Sequence, residues 1–423
     1  MTSDGTESGS SMAGTLGRVT VATIIAAASG YLVLLIAARH LGAAGYGVFA
    51  VFWAAYGMVT GAQNGQLQET TRAVRSALGS ASDSSRGASG SRPLKVNVAI
   101  GLALGALVAI TAPLWSGQVF ATDRWLSALL LAVGVASFAV YAHLCGVLAG
   151  AASWTAFATL LSVDALIRLV GAILAVALGW GIVAFLLITV IGSVSWCLLL
   201  LGSSAARGAV GLPGDVTDRR LTTNTLTAMA AAAASAVLVM GFPVLIKLTS
   251  EIGLFDRDTD DERVVGALIL AVTLTRAPLL VPLNSFQGVL ITRFVEARNR
   301  LMASLAAPLG VVVAVGVIGS ALAWVIGPWL LSSVFGAEFR LGGGVVAALT
   351  TGATLLAMLT VTGASTIAAG AHRWYAAGWW VATLVSIVVL TLPFDISVRV
   401  GAALVVGPLV GVGVHLAGLA TRR

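Results

Sequence analysis

The chain has 423 residues, of which 58% are hydrophobic and only 10% charged. Its mean hydropathy is +0.99, a balance that no water-soluble fold keeps in solution. Soluble enzymes, coiled coils, disordered tails and nucleic-acid binders are therefore excluded, and the net charge of +7 reads as a topological signal of a membrane protein.

The first seventeen residues are polar and lack a basic cluster, and the apolar run from Arg18 to Ala38 is too long for a secretory h-region, so it reads as a retained first span. Uncharged runs such as 96–122, 125–163, 169–206 and 301–337 exceed the roughly 20 residues that one crossing requires. Split at Gly42–Gly47, Gly150–Trp154, Gly179–Gly181, Gly342–Gly344 and Pro393–Asp395, the chain predicts twelve helices. These cover 19–38, 44–66, 96–116, 126–149, 155–178, 182–202, 224–246, 264–289, 303–327, 342–366, 375–393 and 397–418. With the N-terminus inside, fifteen Lys and Arg fall on the cytoplasmic side and seven on the other. That bias predicts both termini in the cytoplasm. The loop 76–95, rich in Ser, Gly and Arg, reads as a flexible cytoplasmic tether. Cys145 and Cys197 each sit inside an apolar span and indicate neither a disulfide framework nor a metal site.

The chain also repeats itself. Ala149-Gly150-Ala151-x-x-Trp154-x-Ala156 matches Ala369-Gly370-Ala371-x-x-Trp374-x-Ala376, and Pro113-x5-Val119-Phe120 matches Pro328-x5-Val334-Phe335. The matches fall at corresponding places of two six-helix halves. The expected fold is all-α and polytopic, with about twelve transmembrane helices in two six-helix lobes around a central cavity. The predicted parts are an N-terminal tail over 1–17, a first lobe over 18–202, a cytoplasmic linker over 203–223 and a second lobe over 224–423. Halves with an even number of spans share one orientation, and twin lobes of this kind are transporter architecture.

Charge inside a membrane is costly, about 2.5–3.5 kcal/mol per residue on insertion scales, so each intramembrane polar group must face protein or water. Arg276 lies in the middle of the eighth helix, where Thr273, Arg276, Asn284 and Gln287 share a face, and Pro278 and Pro282 remove backbone donors nearby. It is either a helix-packing arginine bound to carbonyls or a fixed cation lining an aqueous cavity for an anionic cargo; we take the second reading as the expectation. Asp164 and Arg168 are spaced i, i+4 and neutralise each other, as a structural brace or an ion-coupling pair. Asn64, Gln68, Arg72 and Arg75 follow helical spacing at the inner end of the second helix, with Glu69 alongside. They form either an interfacial cap with snorkelling arginines or a vestibule that meets phosphate first.

No G-x-x-x-x-G-K-[ST] loop is present, so ATP hydrolysis is not expected, and no metal pattern or cofactor motif appears. Asp258-Thr259-Asp260 spells D-x-D within an acidic run over 251–262 that reads as a solvated outer loop.

Several segments carry a resemblance. The stretch Ala37-Ala38-Arg39-His40-Leu41-Gly42-Ala43-Ala44-Gly45-Tyr46-Gly47-Val48-Phe49-Ala50 is similar to the first-loop signature of bacterial polysaccharide exporters. So are Gly146–Gly150 leading to Asp164-x-x-x-Arg168, Thr275-Arg276-Ala277-Pro278 leading to Arg293, and Val334–Phe339. From about Arg18 to the end the chain resembles the polysaccharide transport, O-antigen flippase-like branch of the multidrug/oligosaccharidyl-lipid/polysaccharide exporter superfamily. It departs from that pattern at Ala152 and Ser153, where relatives often carry a basic residue.

The resemblance implies a non-enzymatic exporter in a bacterial inner membrane, moving an undecaprenyl-pyrophosphate-linked oligosaccharide by alternating access for cell-surface polysaccharide biosynthesis. Its implied partners are that substrate, membrane lipids, and glycosyltransferases or a polymerase of the same pathway; nucleic acid is not among them. On this expectation Arg276 pairs with the pyrophosphate, Arg72 and Arg75 recruit it, and Asn64, Gln68, Asn284 and Gln287 hydrogen-bond sugar or phosphate. Two alternatives stay open: a cation-coupled multidrug exporter of the same superfamily, and a membrane-embedded glycosyltransferase or polymerase using Asp258 and Asp260.

Overall fold

The computed structural model describes residues 4–80, 90–120, 123–251, 262–296 and 300–421, and their ordered elements are helical. In chain order they are α1 (Asp4–Ser80), α2 (Pro93–Val119), α3 (Arg124–Gly150), α4 (Trp154–Ala177), α5 (Ile182–Ile191), α6 (Ser195–Gly202), α7 (Ser204–Ala209) and α8 (Asp218–Val239). There follow α9 (Phe242–Glu251), α10 (Glu262–Glu296), α11 (Leu301–Val334), α12 (Gly343–Ala368), α13 (His372–Leu390) and α14 (Ile396–Ala420). Hydrocarbon offers no partners for backbone N–H and C=O groups, so a chain this apolar satisfies them within helices. Among the described residues eleven helical segments are long and apolar enough to cross a membrane.

One of these, 63 residues long within α1, would span about 95 Å if straight, three times a bilayer core. It divides at Gly42, whose φ of 68° and ψ of 176° lie outside the helical region. Only glycine adopts that geometry without strain, and a Cβ there would come within 3.1 Å of the Glu338 carboxylate. The expected break over Gly42–Gly47 is thus a single residue, and its two arms bring the crossings to twelve. The protein is a multi-pass, all-α membrane protein.

The remaining expected breaks coincide with chain reversals. α3 ends at Gly150 and α4 begins at Trp154; α4 ends at Ala177 and α5 begins at Ile182; Gly342 precedes α12; Asp395 caps α14 by accepting from Ser397 N at 2.8 Å. The matched sequence segments also hold equivalent places. Pro113 and Pro328 lie inside α2 and α11, and Phe120 and Phe335 are the C-caps of those helices. The two Ala-Gly-Ala turns join α3 to α4 and α12 to α13. Burial follows the same rule: the most apolar window is 22% buried in α2 and 6% in α11, against 61% in α3 and 67% in α12. The first member of each pair is therefore the more exposed helix and the second the more enclosed one, in both halves.

The chain forms two compact units: Met1–His40 with Ala55–Ala236, and Leu41–Ala54 with Val237–Arg423. Within the first unit α8 packs against α1 up to Ala236. Glycines at 61 and 65 on α1 make that packing possible, since a Cβ at Gly65 would overlap the backbone of Ala228 and Met229 and one at Gly61 would come 2.8 Å from Ala236 Cβ. The core of the first unit includes Tyr141, Leu144, Cys145, Leu148, Leu160 and Leu199. In the second unit Phe294, Leu305, Val361, Ala364, Ala368 and Leu419 form a buried cluster.

Candidate functional site

The polar C-terminal part of α1 divides into two faces. Asn64, Gln68, Arg72 and Arg75 are exposed, which joins the four residues expected from helical spacing into one stripe. Gln63, Gln66 and Thr70 are fully buried on the opposite face. There Gln63 Nε2 donates to Val135 O at 3.0 Å, Gln66 Nε2 to Asn97 O at 3.3 Å, and Asn97 Nδ2 to Thr70 Oγ1 at 2.8 Å. His143, also fully buried, lies 3.0 Å through Nε2 from Val210 O and 3.3 Å through Nδ1 from Asn97 Nδ2. A carbonyl only accepts, so Nε2 carries the proton and Nδ1 receives the Asn97 amide. This network was missed from sequence. Its signal was there: Asn97 and His143 are isolated polar groups in apolar spans, which must find partners inside the protein.

The exposed stripe ends in a charge cluster. Arg72 donates from Nε and Nη2 to Glu69 at 2.9 and 2.7 Å, and from Nη1 and Nη2 to Asp215 at 2.9 and 3.2 Å. Asn224 Nδ2 donates to Glu69 Oε1 at 3.0 Å. Burial works against ionisation of Asp215, but hydrogen bonds from Arg72 and Ser76 and the charge of Arg72 outweigh it and hold the carboxyl below the usual carboxylate range. Two carboxylates share one guanidinium, leaving a triad with an excess negative charge, and Arg75, Arg219 and Arg220 are exposed.

Arg276, 7% exposed, donates from Nη1 to Val239 O at 2.8 Å and to Leu238 O at 3.4 Å, and its guanidinium lies 5.0 Å from the Phe242 ring centroid. Those carbonyls close α8, where helix carbonyls run out of intrahelical partners and carry the negative end of the dipole. The structure thus gives Arg276 carbonyl partners, as in the first of the two readings drawn from sequence. The side chains of Asn284 and Gln287 lie outside the described residues, as do Asp258 and Asp260 and the segment 81–89 of the expected tether.

Asp164 and Arg168 form an ion pair at 2.9 Å on α4. It packs against Gly192, where any Cβ would collide with both side chains. At that point the sixth span changes to a 3₁₀ turn, Gly192–Val194, between α5 and α6. Ser137 bonds the Ser193 carbonyl at 3.3 Å and receives Trp196 Nε1 at 3.1 Å, which supplies partners at the break. In the second unit His415 is fully buried, with Thr362 Oγ1 3.0 Å from Nδ1 and Tyr375 O 3.1 Å from Nε2. A groove of about 1200 Å³ between α4 and α5, lined by Leu166, Val170, Leu174, Trp180, Leu187 and Ile191, presents hydrocarbon surface. It offers a polar headgroup little to bind.

Twelve crossings in two matched halves are the fold of a known transporter class. An inward-facing multidrug resistance MATE family transporter of the MOP superfamily superposes with a TM-score of 0.73 at 14% identity, covering 94% of each chain. The outward-facing conformation of a multidrug resistance MATE family transporter gives 0.64 at 15% identity, over 96% of this chain and 95% of that one. No family model matches the chain. Among curated proteins, uncharacterized protein Rv3630 of Mycobacterium tuberculosis is 45% identical over 419 residues, 99% of this chain and 95% of its own length. Uncharacterized protein Rv1510 of the same organism is 46% identical over 415 residues, 97% and 92% of the two lengths. The chain belongs to the family of these mycobacterial proteins.

Proposed function

We propose that the protein exports a lipid-linked oligosaccharide, anchored through undecaprenyl pyrophosphate, across a bacterial inner membrane by alternating access, with both termini in the cytoplasm. The observation that carries this reading is the exposed stripe Asn64, Gln68, Arg72 and Arg75 on a spanning helix whose opposite face is buried. Amides and guanidinium groups in one row suit a headgroup made of sugar hydroxyls and phosphate, and arginine's planar fork matches phosphate oxygens. The transporter fold supports movement of such a headgroup, and the mycobacterial relatives support the bacterial setting. Arg75 and Arg72 meet the pyrophosphate, while Asn64 and Gln68 hydrogen-bond sugar or phosphate. On the second lobe Asn284 and Gln287 are assigned the same task, and Arg276 secures the end of α8. Movement of an anion outward across a membrane that is negative inside is favoured by about 2.3 kcal/mol per charge per 100 mV, so the direction of export needs no ATP. Glycosyltransferases and a polymerase of the same pathway would supply and consume the cargo.

The test is a depletion strain assayed for lipid-linked sugars. Build-up of intermediates on the cytoplasmic leaflet supports the assignment. Unchanged intermediates with altered drug tolerance would instead support a multidrug exporter, a reading favoured by the solved neighbours, which are multidrug resistance transporters. Against that second reading, Asp164, the acid in the middle of α4, is committed to Arg168. A membrane-embedded glycosyltransferase or polymerase would instead lose its function on substitution of Asp258 and Asp260.

A further inference from the structure

The connector between the sequence halves is fixed to the first unit on either side of one acidic residue. Val210 O is held by the buried His143, Gly214 N donates to Ser91 O at 3.1 Å, and Asp218 Oδ1 accepts from Arg92 N at 2.7 Å. Between the second and third of these anchors stands Asp215. Its carboxylate takes two donors of Arg72, and the side chains at this contact are 45% and 17% exposed. The backbone is therefore pinned while the ion pair faces solvent.

We propose that Asp215 is a tethered counter-anion that occupies Arg72 until a phosphate-bearing headgroup displaces it, so that the pair admits di- or polyanionic phosphate and excludes singly charged anions. The inference rests on the anionic cargo proposed above and adds the rule by which that cargo is selected. Arg72 has five N–H donors and uses Nε, Nη1 and Nη2 on two carboxylates. A free monovalent anion competes with a carboxylate of equal charge that cannot diffuse away, and a tethered group acts at millimolar or higher effective concentration. It loses that competition. A pyrophosphate brings more charge and more acceptor oxygens, and Arg75, Arg219 and Arg220, exposed at the same end of the unit, supply further positive charge for it. The exchange rotates the Asp215 side chain away from Arg72 and Ser76; the connector stays held at 210, 214 and 218 but loses one of its ties, so its backbone opens more often. Glu69 remains on Arg72 and is itself held by Asn224, so the guanidinium keeps its orientation while one partner changes.

The experiment is a calorimetric titration of the purified full-length protein with inorganic pyrophosphate and, separately, with acetate. Wild type is expected to bind pyrophosphate and not acetate. Asp215→Asn, which removes the competing charge, should bind pyrophosphate on the order of tenfold more tightly and begin to bind acetate. Asp215→Glu, which keeps the charge, should retain wild-type selectivity, and Arg72→Gln should abolish both the binding and the effect of Asp215→Asn. Hydrogen exchange of residues 210–217 separates local exchange from misfolding: pyrophosphate should raise it in wild type, with the rest of the protein unchanged. The proposal is overturned if Asp215→Asn leaves pyrophosphate affinity unchanged or lowers it, or if acetate binds wild type equally well. Glycan build-up on depletion together with an unresponsive Asp215→Asn would remove this proposal alone. The expected titration without glycan build-up would remove only the cargo assignment.

Discussion

Arg72 and Arg276 are both arginines of spanning helices, and their surroundings differ in kind. Arg276 is buried and bonded to backbone carbonyls at the end of α8, with Phe242 against its face. Arg72 is partly exposed and bonded to two side-chain carboxylates, one of them on the connector. A carbonyl at a helix end cannot leave without unwinding the helix, whereas a carboxylate on a side chain can rotate away. The first arginine is therefore a fixture and the second an exchangeable contact. The Asp164–Arg168 pair belongs with the fixture: its partners lie one helical turn apart and are wedged against Gly192.

The sharpest way to break this contrast is to remove single partners from the fixed group. Asp164→Leu leaves Arg168 uncompensated and is expected to cost about 3 kcal/mol or more, whereas the double variant Asp164→Leu, Arg168→Met should recover most of that loss. Thermal denaturation in detergent, followed as the fraction of monodisperse protein, reads both; equal losses in single and double variants would refute the brace. Arg276→Ala should cost roughly 2–3 kcal/mol through the lost charged bonds to α8. Arg276→Lys should recover only part, since it lacks the planar face that meets Phe242. If Arg276→Ala melts like wild type but fails to transport, Arg276 belongs with the exchangeable group.

Packing of α1 on α8 gives the next effect. Gly65→Val is expected to cost about 1–3 kcal/mol, because a side chain there meets the backbone of Ala228 and Met229 and the helices must separate. A wild-type melting temperature would show that the close approach is dispensable. Arg75→Gln, on the exposed stripe, should leave the melting temperature unchanged and lower accumulation of exported lipid-linked sugar by about tenfold, as loss of one charge-assisted contact of about 1.5 kcal/mol implies. The smallest effect concerns pH. The folded-state carboxyl of Asp215 is held below its ordinary value, so its pairing is fully present above about pH 4 and is lost as the pH falls through the lowered value. Hydrogen exchange at 210–217, corrected for intrinsic rates, should be flat from pH 8 to 5 and rise only below that ordinary range.

Much of this was legible in the chain itself. The crossings follow from apolar run length, because hydrocarbon tolerates only helices whose backbone bonds are internal. Glycine and proline mark most of the ends, and the repeated Pro-x5-Val-Phe and Ala-Gly-Ala segments mark the twofold plan. The i, i+4 spacing of Asp164 and Arg168, and the shared face of Asn64, Gln68, Arg72 and Arg75, are helical arithmetic that the folded protein preserves. Periodicity alone fixed those neighbours, since on a helix three or four residues apart means adjacent in space.

Tertiary structure decided what touches what across the chain. Asp215 lies 143 residues from Arg72, and no local pattern pairs them. Arg276 reads as a cation on a polar stripe until the end of α8 is placed against it. Asn97 and His143 announced only that they need partners; that these are Gln66, Thr70 and each other is not readable, because hydrogen-bond partners on different spans leave no period in a sequence. The physical reason is common to all three cases: burial cost tells a polar group that it must have a partner, and only packing tells it which one.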